Sequence, residues 1–284
     1  MTSRISPVWL VLGGIFSVQL GAGIAKDLFD EVEPTAIVWL RLVTSAVVLA
    51  AIARPVLRGR SRGDWLVALG FGLTLGTMNW AIYQSFARIP LGLAVTIEFI
   101  GPLSVALFGS RRARDLVWVA LAGLGVAFLG FESDDLNLAG VAFALLAGAM
   151  WAAYILLSAQ TGRRWPGLDG LAVASVIATL LLTPGAIAVG GDTLLDPRIL
   201  ALGAAVGLLS SVVPYSFEMS ALRTIRPAVF SILMSLEPAV AALVGILVLQ
   251  EFLSAVQWLA VACVIVASVG ATRTGRPIVE PIPD

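Results

Sequence analysis

The sequence predicts an all-α polytopic membrane protein: ten transmembrane helices in two inverted five-helix repeats, with both termini cytoplasmic. Three observations carry that expectation. The 284-residue chain is 59% hydrophobic and only 13% charged, with a mean hydropathy of +0.97, whereas soluble domains are roughly one-quarter charged. Its apolar residues fall into ten runs, each near the roughly 17–25 residues that cross a bilayer. Its basic residues alternate between successive connections, as the positive-inside rule requires.

Taken in order, the first run is Val8–Ala25. It reads as a span rather than a signal peptide, because only Arg4 precedes it and nine more runs follow. The second, Pro34–Ala53, carries Trp39 and Arg41; the third, Trp65–Phe86, carries Gly72-x-x-x-Gly76, Asn79 and Tyr83. The fourth, Leu91–Gly109, holds Glu98 near its middle and Pro102 four residues later. A charge in hydrocarbon costs at least ~2.5 kcal/mol, and proline removes a backbone donor and frees a carbonyl. A helix with both at one depth makes a plausible wall of a transport pathway. The fifth, Leu116–Phe131, is the shortest. The sixth, Leu138–Ser158, contains Trp151 and Tyr154, and the seventh is Leu168–Val189. The eighth, Arg198–Ala221, contains Gly203-x-x-x-Gly207, Pro214 and Glu218; the ninth, Ala228–Leu249, contains Glu237-Pro238. The tenth, Leu253–Thr272, holds the single cysteine, Cys263, as a small packing residue.

With the N-terminus inside, the inner segments hold fourteen basic residues and the outer ones three, Lys26, Arg88 and Arg198. Arg41 alone remains within a span. The halves also resemble each other. Trp118–Gly130 aligns with Trp258–Gly270 at an offset of 140 positions, with six of thirteen residues identical. Pro102–Gly109 aligns with Pro238–Gly245 at an offset of 136, and Ala68–Gly70 matches Ala201–Gly203. Five spans are an odd number, so two copies enter the membrane in opposite directions and enclose a central site between them. The repeats are assigned to residues 1–134 and 135–284.

Several functions are excluded. Zero net charge and no basic stripe argue against nucleic-acid binding. With no histidine and one cysteine, intrachain disulfides, histidine metal sites and histidine bases are absent, and no metal or cofactor is expected. No phosphate-binding loop of the ATPase type occurs. The chain lacks the interfacial Asp, His or Lys cluster of a membrane-embedded enzyme. It also lacks the continuous polar stripe of a channel.

Pro90-Leu-Gly-Leu-Ala-Val-Thr-Ile-Glu98-Phe-Ile-Gly-Pro102-Leu with Ser110-Arg-Arg112 resembles the EamA-type drug/metabolite transporters, and among them the bacterial threonine/homoserine exporters. So do Ala25-Lys-Asp-Leu-Phe29, Ala149-Met-Trp151-Ala-Ala-Tyr154, Pro214-Tyr-Ser-Phe-Glu218-Met and Leu233-Met-Ser-Leu-Glu237-Pro238-Ala. YddG-type aromatic amino-acid exporters share the fold. The resemblance implies ten helices in two EamA-like halves, a central cavity and amino-acid efflux across a bacterial inner membrane. The runner-up is another small metabolite or drug carried by the same architecture. Amino acids and membrane lipids are the expected partners; a monomer is plausible, with oligomeric state left open.

Rise per residue places side chains by depth. Arg41, Glu98 and Asn79 each lie seven residues from the outer end of their runs, roughly 10 Å deep. The economical expectation is a hydrogen-bonded cluster in which Arg41 and Glu98 pair. Three readings fit: a structural ion pair, a recognition pair for an amino-acid zwitterion, or Arg41 snorkelling outward. In the second reading Arg41 meets the carboxylate and Glu98 the ammonium. Glu237, Pro238, Glu218 and Pro214 form a second layer nearer the cytoplasm. They are candidates, with Pro102, for gating or proton coupling; Glu218 reads first as a headgroup-level residue near Arg223, and Glu237 reads equally as a neutral cap. Trp39, Tyr83, Trp151 and Tyr154 are candidate cavity aromatics, whereas Trp9, Trp65 and Trp165 suit a membrane-surface belt. An aromatic lining without a fixed donor predicts a broad amino-acid range.

Overall fold

A computed structural model describes residues 6–108, 116–129, 137–222 and 227–274. Every regular element among them is helical: α1 (Pro7–Asp27), α2 (Pro34–Ala53), α3 (Arg62–Phe86), α4 (Leu91–Glu98), α5 (Ile100–Phe108), α6 (Leu116–Leu129), α7 (Leu138–Arg164), α8 (Asp169–Gly190), α9 (Pro197–Gly207), α10 (Val213–Leu222), α11 (Pro227–Met234), α12 (Glu237–Leu249) and α13 (Ala255–Thr274).

Local chemistry marks the ends. Proline opens α1, α2 and α9, where its missing N–H costs nothing. Ser61 and Asp64 form a reciprocal capping box on α3. Asn137 accepts from Gly140 N at 3.1 Å to cap α7. Arg54 and Gln250, at φ 50° and 56°, close α2 and α12 in the left-handed conformation.

Among the described residues, eight helices are long and apolar enough to cross a membrane: Pro7–Asp30, Pro34–Ala53, Arg62–Phe86, Leu138–Arg164, Asp169–Leu195, Pro197–Glu218, Val229–Leu249 and Ala255–Arg273. The expected fourth run appears as a shorter apolar segment, Leu91–Val105, broken at Phe99 into α4 and α5. The expected fifth appears as α6, and residues 130–131 at the end of that run lie outside the described residues. So do Arg4, Arg111, Arg112, Arg114, Arg223, Arg226 and Arg276 of the charge pattern.

Each helix packs along partners distant in sequence. α3 runs against α7 and α8, and α2 against α8 and α9. α1 lies along α10, α11 and α12, α4 and α5 lie along α7, α4 meets α12, and α6 meets α13. The two Gly-x-x-x-Gly pairs act within the chain. A Cβ on Gly72 would stand 2.6 Å from Ile177 on α8, and one on Gly203 would stand 2.6 Å from Leu40 on α2. Small residues here let the helices approach closely.

The two ends of the bundle differ. At one end Arg60 pairs with Asp169 at 3.6 Å and Arg164 with Asp64 at 3.3 Å. The expected belt residue Trp165 is instead buried there, 2% exposed. It stands edge-on to Trp65 at 5.7 Å with the Arg60 guanidinium 4.4 Å above its ring. At the opposite end Arg198 pairs with Glu31, and Lys26 pairs with Glu251. Lys26 also donates to Ile89 O at 2.7 Å, and Leu91 N donates to Glu251 Oε2 at 2.8 Å. Beneath this second end lies the main apolar core, including Leu28, Ala36, Tyr83, Phe86 and Leu91.

Candidate functional site

One face of α2 supplies the floor of a cavity. Arg41, Ser45, Val48 and Ile52 recur at helical spacing along it. Opposite them stand Asn79 and Ile82 of α3, Gln19 of α1, Glu98 of α4, Trp151 and Tyr154 of α7, and Glu237 of α12. The cavity measures about 580 Å³, within the roughly 300–1,000 Å³ of ordinary small-molecule sites. Its lining continues to Ile52, Leu168, Ser216 and Glu218, toward the end that carries Arg60 and Arg164. At the other end the apolar core closes it.

Two helix breaks build its polar wall. Pro102 has no N–H for the carbonyl of Glu98, and the helix turns at Phe99. Glu98 ends α4 there, 9% exposed. Gly101 and Gly148 let α5 and α7 touch at the break; a Cβ on Gly101 would stand 2.0 Å from Gly148 O. In the same way Pro238 has no N–H for Met234, and the chain turns through Ser235 and Leu236 before Glu237 opens α12. Gln19 Nε2 donates to Glu237 Oε1 at 3.1 Å. Gln19 Oε1 and Glu237 Oε2 are left buried without a partner among the described residues. A third break is a π-turn, Leu208–Val212, just before Pro214. It turns Ser210 and Ser211 to the cavity. Ser45 Oγ donates to Arg41 O at 2.9 Å and lies 2.7 Å from Ser211 Oγ, so Ser211 is the donor of that pair.

The predicted residues divide. Arg41, Asn79, Glu98, Trp151, Tyr154, Pro214, Glu218 and Glu237 share the cavity. The expected Arg41–Glu98 ion pair does not form. Arg41 instead reaches the Tyr83 hydroxyl at 3.5 Å, with its guanidinium carbon 5.6 Å from that ring's centre. Asn79 Nδ2 donates to Leu75 O of its own helix at 2.9 Å. Equal depth does not give equal azimuth, so no three-group cluster closes. Tyr83 is fully buried between Phe29 and Phe86, outside the lining. Trp39 faces α8, its indole N–H donating to Thr183 Oγ1 at 2.9 Å. Pro102 borders a second, smaller cavity, and Pro238 is buried in the first turn of α12.

Comparison with known proteins places this architecture. The threonine/homoserine exporter RhtA of Salmonella typhimurium (strain SL1344) is 43% identical over 282 residues, covering 97% of this chain and 95% of that protein. The chain belongs to the EamA-like transporter family. The EamA-like transporter family model itself matches residues 138–273. RhtA of Escherichia coli (strain K12) is 42% identical over 280 residues, covering 96% and 95% of the two chains. The uncharacterized transporter YwfM of Bacillus subtilis (strain 168) is 32% identical over 157 residues, covering 54% of this chain and 53% of that one. A solved crystal structure, 16% identical, superposes with a TM-score of 0.61 over 96% of this chain and 97% of that one, a likeness of fold.

Sequence reasoning missed six polar residues that this EamA-like transporter turns to its cavity: Gln19, Ser45, Ser175, Ser210, Ser211 and Ser216. Gln19 had a readable signal as an amide within an apolar run. The serines had none, because serine packs equally well at helix interfaces.

Proposed function

We propose that the protein exports amino acids of the threonine and homoserine class across the bacterial inner membrane by alternating access. The observation that carries this is the cavity. It combines one guanidinium, Arg41, with buried carboxylates, Glu98 and Glu237, between apolar and aromatic walls, in a chain 43% identical to a threonine/homoserine exporter. A zwitterion carries one charge of each sign, and this lining offers a partner for each. Arg41 takes the carboxylate and Glu98 the ammonium; Trp151 and Tyr154 flank the side chain. Pro102, Pro214 and Pro238 sit at the helix breaks and supply the flexible points of the cycle, with Glu218 and Glu237 as the candidate proton carriers.

Ten spans in two inverted repeats, residues 1–134 and 135–284, with both termini cytoplasmic, are part of the same proposal. Several packing facts support it. Taking α4–α5 as the fourth span, α9–α10 as the eighth and α11–α12 as the ninth, three large interfaces have counterparts under exchange of halves. The α3–α7 contact matches α9–α10 against α1; the α3–α8 contact matches α9 against α2; and the α4–α5 contact with α7 matches α11–α12 against α1. The proline-linked turns at Phe99 and Ser235 are themselves 136 positions apart, the offset found in the sequence. In this arrangement the cavity faces the cytoplasm, and the Lys26–Glu251 end is the closed outer gate.

Counterflow of labelled threonine in proteoliposomes tests the proposal. Threonine and homoserine should exchange, and Arg41→Met and Glu98→Gln should each cut exchange at least tenfold with folded protein unchanged. Loss of folded protein in both variants would make those residues structural. A parent protein that exchanges no amino acid would move the function to another small solute.

A further inference from the structure

A second cavity of about 260 Å³ lies beside the first, between α5, α7, α11 and α13. Trp151 and Met234 line both, so one indole and one thioether separate them. Consecutive residues at the α4–α5 turn face different cavities: Glu98 the larger, Phe99 the smaller. Phe99 braces Trp151 edge-on, with ring centres 5.5 Å apart at 86°. The two cavities differ in chemistry. Among the described residues, no charged side chain lines the smaller one. Its walls are mainly apolar, as at Leu103 and Ile155; the Ser235 and Thr272 hydroxyls donate to carbonyls of their own helices at 3.0 and 2.8 Å, and the Ser268 hydroxyl is buried without a hydrogen-bond partner among the described residues.

We propose that the smaller cavity is a side-chain subsite of the transport pathway, taking the apolar side chains of larger amino acids, with Trp151 setting the size limit at its entrance. The inference rests on the exporter reading above. A charged headgroup gains nothing by entering an uncharged pocket and loses its partners at Arg41 and Glu98. Its apolar side chain has the opposite preference. An amino acid whose ammonium meets Glu98 has its α-carbon beside Trp151, one residue from the smaller cavity. Met234 is unbranched and adaptable, so that part of the partition yields. The braced indole is the stiff part.

The test is competition. Full-length protein in proteoliposomes exchanges labelled threonine against unlabelled threonine, leucine or phenylalanine, and the readout is the ratio of half-inhibiting concentrations. Trp151→Phe opens the partition and should improve phenylalanine relative to threonine by about tenfold, the scale of a methylene or two in an apolar pocket. Ile155→Phe, one turn beyond Trp151 on α7, fills the smaller cavity. It should lower the same ratio for phenylalanine and leucine, and cancel the gain in the double variant. Ratios that stay put in Ile155→Phe, with threonine exchange measurable, overturn the subsite alone. Absence of threonine exchange in the parent overturns the exporter reading and the subsite with it.

Discussion

At the scale of single residues, position along each helix was readable and azimuth was not. On α2, Arg41, Ser45 and Ile52 share one face. Trp39 is two residues from Arg41, which at about 100° per residue turns it to the opposite side. On α3, Asn79, Ile82 and Phe86 line the cavity, whereas Tyr83 lies at the edge of that face and enters the core. The same geometry explains why Arg41 and Glu98 share a cavity without touching. Glycines are the sharpest residue-level test. Gly101→Ala sets a methyl 2.0 Å from Gly148 O, backbone against backbone. It should destabilise by ~1–3 kcal/mol or more, read as a lowered melting midpoint in detergent. Gly162→Ala meets open space on α7, and should leave the midpoint unchanged or raise it by the equivalent of ~0.5–1 kcal/mol. Equal effects of the two would mean that the α5–α7 contact at Glu98 is not as close as described.

At the scale of elements, proline positions foretold the breaks, but their consequences needed neighbours. Pro102 and Pro238 each remove one backbone bond. That the freed Glu98 carbonyl meets α7 at Gly148 depends on a helix forty residues away. The closure at the Lys26–Glu251 end is likewise an assembly of ends: Lys26 from α1, Ile89 and Leu91 around the α3–α4 turn, and Glu251 after α12. In the proposed orientation this clasp opens for solute to leave outward. In a Cys263→Ser background, Ala36→Cys lies fully buried beneath this end. An impermeant thiol reagent applied from the outer face should label it slowly, and several-fold faster when Lys26→Met removes the clasp. Unchanged labelling, with the protein folded, would assign the closure to apolar packing alone.

At the scale of the whole molecule, the alternation of basic residues implies an orientation that a pair of labels can check. Arg58 belongs to the connection between α2 and α3, and Asp192 to the one after α8; both are exposed. In the Cys263→Ser background, Arg58→Cys should react only from the cytoplasmic face and Asp192→Cys only from the outer face of intact cells or inverted vesicles. Labelling of both from one face would break the ten-span reading and the inverted repeat with it. Exchange of threonine in proteoliposomes tests the remaining claim at this scale, that the two halves move about the cavity and carry solute through.

Membrane residence, the positions of the apolar runs, the place of each charge within its run and the matching segments of the two halves were all legible in the sequence alone. Hydropathy, charge and spacing are local quantities, summed along the chain without reference to neighbours. Which side chains share a cavity was decided only by tertiary structure. The same holds for Gln19, which turns to Glu237, for Tyr83, which packs into the core, and for Trp151, which divides two hollows. Those outcomes depend on the rotation of each helix about its axis. That rotation is set by close packing against helices that are remote in sequence.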